Sequence, residues 1–126
     1  MRAVDTNVLV RLLTRDDAKQ ATRAEEFVAG GGWISQLVLT ETVWVLSVAY
    51  GLGADKLATA IEMLLGHEKL SLEGPDVVRA ALAQFRKQPS LGFSDCLMLE
   101  LARAAQHLPL GTFDKELGKL AGAQRL

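Results

Sequence analysis

Four carboxylates stand apart in this chain. Glu41 is the only charged residue between Phe27 and Ala54. Asp5 is the only charge between Arg2 and Arg11, Asp95 the only one between Lys87 and Glu100, and Asp114 the only acid between Glu100 and Glu116. The other acids come mixed with bases: Asp16 and Asp17 beside Arg15, Glu25 and Glu26 near Arg23, Glu68 beside Lys69. Those read as solvated surface. Each isolated acid also has an ordinary reading. Asp5 and Asp114 suit caps at a strand end and a helix start, Asp95 suits a first helical turn, and Glu41 suits the N-terminal half of a helix, where the dipole favours an acid. Helical spacing nevertheless sets Leu37, Val38, Trp44, Val45 and Val48 around Glu41 on the expected core side, where an unpaired charge would cost several kcal/mol. If the four acids meet, each pair about 4 Å apart repels by roughly 1–4 kcal/mol, depending on the local dielectric. Such a cluster needs a cation. Hard oxygen ligands select Mg²⁺ or Mn²⁺ over zinc, and His67, His107 and Cys96 have no zinc-ligand spacing. Four acids around Mg²⁺ is a recurring arrangement for hydrolysing phosphodiesters.

The bulk properties agree with an enzyme of ordinary globular type. A chain of 126 residues suits one domain, residues 1–126. Hydrophobic residues make up 49% and charged residues 23%, which argues against disorder. A net charge of −1 does not support a strongly basic, non-specific nucleic-acid binder, and it leaves open nucleic-acid binding through a bound divalent metal and a local basic patch. The single cysteine allows no internal disulfide and fits a reducing compartment, the cytoplasm. The first residues, M-R-A-V-D-T-N-V-L-V-R, hold too short an apolar stretch for a signal peptide, and no apolar run reaches the roughly 20 residues of a membrane span.

Short strand-like pieces alternate with longer helical ones, the pattern of an α/β fold. Residues 2–5 read as a strand and 6–13 as a helix. Asp16 and Asp17 cap a second helix to about Ala29, which Gly30-Gly31-Gly32 ends. W-I-S at 33–35 is a strand, and Ser35 caps a helix over 36–50. A helix over 54–65 follows, then K-L-S-L at 69–72 as a strand. Pro75 opens a helix to about Lys87. Ser94 caps one from Asp95 to about His107. L-P-L-G at 108–111 is a strand, Asp114 opens a final short helix, and A-Q-R-L is a last edge strand. Every interstrand segment holds a helix, so the expectation is a short central parallel sheet in a three-layer α/β/α fold. Active sites of such sheets lie beyond the carboxyl ends of the strands, where Asp5 and Asp114 both fall.

With V-D-T-N-V-L-V-R, T-E-T-V-W-V-L, F-S-D-C-L-M-L-E-L-A and T-F-D-K-E-L in this order, the chain resembles a PIN domain, and more narrowly the VapC-type toxins of toxin–antitoxin pairs. The resemblance covers essentially the whole chain. It implies a PIN-like fold and a metal-dependent endoribonuclease. Asp5, Glu41, Asp95 and Asp114 fall on the acidic quartet, Thr6 and Asn7 on the polar residues after the first acid, and Thr112 on the hydroxyl residue before the last. Ser94 is a cap or a supporting donor, and Glu116 an outer ligand or a surface residue. The implied chemistry is hydrolysis of RNA by water that Mg²⁺ or Mn²⁺ activates, leaving 5′-phosphate and 3′-hydroxyl ends. The implied partners are the RNA substrate, a cognate antitoxin protein and a second copy in a homodimer.

Cations for RNA are less plain. Arg11, Arg15, Lys19 and Arg23 recur every four residues, but the break over residues 14–17 splits the stripe between two helices. Arg79, Arg86 and Lys87 read as surface. Trp33 and Trp44 read as core residues rather than stacking platforms. Two rivals remain. A haloacid-type phosphatase wants D-x-D-x-T where this chain has D-T-N-V-L. A catalytically inactive PIN-like module that binds RNA or protein would keep the fold without the cutting.

Overall fold

Three short strands run parallel in the order β1 (Arg2–Ala3), β2 (Gly32–Ile34), β3 (Leu70–Leu72), with Gly32 opposite both Arg2 and Leu70. Parallel neighbours need long crossovers. Helices α1 (Thr6–Thr14) and α2 (Ala18–Val28) make the first, and α3 (Gln36–Val48) and α4 (Ala54–Gly66) the second. The computed structural model describes residues 1–126 and divides into two compact units, Met1–Pro75 and Asp76–Leu126. The three-stranded sheet belongs to the first unit.

Local chemistry explains these boundaries. Asp17 caps α2, its carboxylate accepting from Gln20 N at 3.0 Å, and Ser35 caps α3, its hydroxyl accepting from Val38 N at 3.1 Å. Glu73, just past β3, accepts from Gln36 N at 2.9 Å and so closes a second donor of the α3 N-terminus. Gly32 sits where a Cβ would stand 3.1 Å from side-chain carbons of both Val4 and Leu70, so a larger residue in the central strand would have to push both aside by a few tenths of an ångström. Helix α1 packs on α2 and α3, and α4 packs on α3 and β3. Leu9, Ile34, Leu39, Leu46 and Ile61 are wholly buried there. Truncating such a leucine to alanine typically costs about 2–5 kcal/mol.

The second unit holds all but the first residue of α5 (Pro75–Lys87), that residue being the proline the sequence places there, then α6 (Phe93–Ala104), β4 (Leu110–Thr112), a 3-10 turn (Leu117–Lys119) and β5 (Ala123–Arg125). Strands β4 and β5 pair in parallel, Gly111 opposite Gln124. Phe85 and Phe93 meet edge to face at 6.0 Å. Arg103 donates to Ala121 O at 2.7 Å and pairs with Glu100 at 3.0 Å, tying α6 to the turn before β5.

The fold is thus mixed α/β, with helices flanking short parallel sheets. The strands form two hydrogen-bonded ladders, of three strands and of two, where the helix–strand alternation suggests one. The expected final helix is only the 3-10 turn. No helix is long and apolar enough to cross a membrane.

Candidate functional site

In the first unit, the head of α1 brings Asp5, Thr6 and Asn7 together. Asp5 lies two residues beyond the carboxyl end of β1 and is the N-cap of α1. Its Oδ1 accepts from Thr6 N at 2.6 Å, while Oδ2 takes no hydrogen bond from the protein. Thr6 is 4% exposed, and its Oγ1 is buried without a hydrogen-bond partner. Thr42, equally a buried threonine, is satisfied: its Oγ1 donates to Val38 O at 2.7 Å. The orphan beside Asp5 is therefore particular to that position. Asn7 is exposed at the mouth of a groove of about 470 Å³ between α1 and α2.

Glu41 corrects the expectation of a core-facing carboxylate. It is exposed, with Leu37 (75% exposed), Trp44 (63%) and Val48 (64%) at helical spacing along the same side of α3. The buried face is Leu39, Thr42, Val43 and Leu46. Helix α3 is apolar nearly all round, so its pattern does not reveal which side is covered. Trp44 is accordingly not a core residue, and Trp33, which alternates away from buried Gly32 and Ile34, is 38% exposed.

In the second unit, Asp95 stands half-buried in the first turn of α6. Ser94 does not cap this helix. The N-cap is Gly92, because buried Phe93, anchored on Phe85, starts the helix earlier than Ser94 would. Ser94 Oγ and Asp95 Oδ2 both face Gly92, at 3.8 and 3.7 Å from where its Cβ would stand. Asp114 lies two residues past β4. Its own N–H donates to Thr112 Oγ1 at 3.0 Å, and its Oδ1 accepts from Leu117 N at 2.8 Å, closing the turn that leads into the 3-10 helix. As with Asp5, one carboxylate oxygen serves the backbone and the other is left open. The capping role and a ligand role are compatible in one residue. Phe113, between Thr112 and Asp114, is 81% exposed.

None of Asp5, Glu41, Asp95 and Asp114 has an ion-pair partner, a condition they share with Asp17, Glu26, Asp55, Glu68 and Glu73, whereas Asp16, Glu25, Asp76, Glu100 and Glu116 pair with Arg11, Arg15, Arg79, Arg103 and Lys119. Glu116, at 3.3 Å from Lys119, has a surface partner of its own. Within either unit no three carboxylate, imidazole or thiol side chains are grouped to hold a metal ion. The donor chemistry still fits a hard divalent cation: open carboxylate oxygens and the orphaned Thr6 hydroxyl. His67, His107 and Cys96 are not gathered into a zinc-type group. Burial, reinforced by Asp95 and Glu100, pushes the Cys96 thiol up to about 11.

The α1–α2 groove went unforeseen in the sequence. Its polar lining is Asn7, Arg11, Gln20 and Arg23, over an apolar floor of Val8, Ala24 and Phe27. Spacing along one helix hid it, because Arg11 and Arg23 come from different helices. The break in the arginine stripe is real: α1 ends at Thr14, Arg15 takes a left-handed conformation, and α2 begins at Ala18.

No curated protein matches the chain. A family model described as the PIN domain matches residues 2–123, a span that contains all four isolated acids. PIN domains are typically nucleases acting on RNA, and they generally use divalent metals. With parallel α/β ladders and acids at the carboxyl ends of β1 and β4, and with a match across nearly its whole length, the chain belongs to the PIN-domain family.

Proposed function

We propose that this PIN-domain protein is an endoribonuclease that depends on Mg²⁺ or Mn²⁺ and acts as the toxin of a type II toxin–antitoxin pair, in the cytoplasm. Asp5, Glu41, Asp95 and Asp114 are the carboxylates that hold the metal. The observation that carries this reading is the family match over residues 2–123, which contains all four acids, together with their lack of an ion-pair partner and the open carboxylate oxygens of Asp5 and Asp114. A divalent ion there supplies Lewis-acid stabilisation of phosphoryl charge and a lowered pKa for attacking water. The protein's own part is positioning. The Thr6 N–H orients Asp5, and the Thr112 hydroxyl and Leu117 N–H fix Asp114, each leaving one carboxylate oxygen open. Thr6, Asn7 and Ser94 offer further polar groups beside the acids. No side-chain nucleophile is required; Cys96, the one thiol, is buried and protonated.

The partners we propose are an antitoxin protein and a second copy of the chain. The exposed stripe of Leu37, Trp44 and Val48 supports an apolar protein contact. Sedimentation at micromolar concentration tests the homodimer, and a monomer there contradicts it.

Cleavage of a structured RNA pool tests the activity, run with Mg²⁺, with Mn²⁺ and with chelator, beside Asp95→Asn. Metal-dependent cutting to 5′-phosphate ends that is lost in the variant is expected. A folded chain that binds RNA but never cuts it is instead a binding module on the PIN scaffold.

A further inference from the structure

Arg23 has no part in the chemistry above and no partner in the protein. It is exposed on α2 and makes no ion pair or hydrogen bond. It lines the α1–α2 groove together with Arg11, Asn7 and Gln20, and no carboxylate lines that groove. Arg23 also borders a neighbouring concavity with Lys19, another cation without an ion pair.

Arg11 is held in place. Its guanidinium donates to Gln20 Oε1, to Asp16 Oδ1 at 3.1 Å and to Tyr50 Oη at 3.1 Å, and Tyr50 in turn donates to Asp16 Oδ2 at 2.7 Å. This network links α1, the turn into α2, α2 itself and the residues after α3. Arg11 is thus a fixed wall of the groove, and Arg23 a free cation opposite nothing that neutralises it. Arg11 already has Asp16 as its counter-ion, so the uncompensated charge on the lining is Arg23, which with the Asn7 and Gln20 amides suits phosphate oxygens. Val8, Ala24 and Phe27 give an apolar floor that suits a sugar or base. A volume of about 470 Å³ lies within the size range of pockets for small organic ligands. Asn7 ties one end of the groove to the turn that carries Asp5 and Thr6.

We infer that the α1–α2 groove binds a nucleotide of single-stranded RNA flanking the scissile bond, with Arg23 as the contact to its phosphate. The inference rests on the nuclease reading and adds to it a substrate-binding residue outside the carboxylate set. Arg23 is the residue to change because it holds nothing in the fold, whereas replacing Arg11 would also break the network with Asp16 and Tyr50.

The test uses the full chain carrying Asp95→Asn, with fluorescent single-stranded RNA titrated at several NaCl concentrations. Arg23→Ala is expected to weaken binding about tenfold. It should also lower the slope of log affinity against log salt by about 0.7, the value for one lost contact on a single strand. Arg23→Lys should restore the slope, and the melting temperature should not move. Unchanged affinity in Arg23→Ala overturns the inference alone, as does weaker binding with an unchanged slope. An Arg23-dependent affinity for an acidic peptide, with RNA binding unaffected by Arg23→Ala, overturns it in favour of a protein partner. The parent's own RNA affinity reads the nuclease proposal separately, and its absence overturns both.

Discussion

Replacing Thr6 by valine is expected to make the protein more stable. The side chain is 4% exposed, and its hydroxyl is buried without a partner. Mutational data put the penalty for an unsatisfied buried hydroxyl at about 1–3 kcal/mol, and valine keeps the shape while removing the polar group. At about 2.1 cal/mol/K of unfolding entropy per residue, a chain of 126 residues shifts its Tm by about 4 °C per kcal/mol. Thr6→Val should therefore melt roughly 4–11 °C higher in metal-free buffer. Thr42→Val is the control of opposite sign. Its hydroxyl is as deeply buried but donates to Val38 O at 2.7 Å, so its loss should lower stability by about 1 kcal/mol. Calorimetry or urea unfolding reads both. A destabilised Thr6→Val would refute the reasoning, since it would mean the hydroxyl is satisfied after all. A stabilised variant would show that the chain gives up stability beside a proposed catalytic acid, as functional sites commonly do.

Asp114→Asn should keep the cap on Leu117 N and melt within about 0.5 kcal/mol of the wild type, because Asn and Asp cap comparably, whereas Asp114→Ala should lose about 1 kcal/mol. Both should lose cutting, and an active Asp114→Asn would remove this residue from the site. Hydrogen bonds from Tyr50 and then Thr14 hold the Asp16 carboxyl below its usual range. Its folded value is thus lower than its unfolded one. The stability it contributes is complete above about pH 4 and is lost as pH falls through the folded value. Tyr50→Phe should flatten that acid-side loss in pH-dependent melts, and identical acid slopes would contradict the assignment.

Much of this architecture was legible because local signals are strong where one residue serves one purpose. Ser35 and Asp17 cap the helices they precede, and Pro75 opens α5. Other features depend on what packs against them. The covered side of α3 is set by α1 and α4, and an all-round apolar helix carries no mark of it, so Glu41 and Trp44 read as inward when they face out. Ser94 has the chemistry of a cap, but Phe93 is buried and sets the start of α6. The division of the strands into two ladders is a matter of pairing partners, which helix–strand alternation does not encode. The isolation of the four acids along the chain is visible in the sequence itself, and the four have no ion pairs in the fold, as several surface acids also do not. The sequence offered capping and ligand roles for Asp5 and Asp114 as alternatives; the structure adds that each engages the backbone with one oxygen and keeps the other open.

The most direct test of the central claim is Mg²⁺-dependent RNA cleavage by four single variants, Asp5→Asn, Glu41→Gln, Asp95→Asn and Asp114→Asn, each checked for folding by circular dichroism. If the four carboxylates act on one metal-dependent reaction, every variant folds and every variant loses cutting. A folded variant that cuts RNA at the wild-type rate would exclude its residue, and cutting that persists in chelator would contradict the metal-dependent account as a whole.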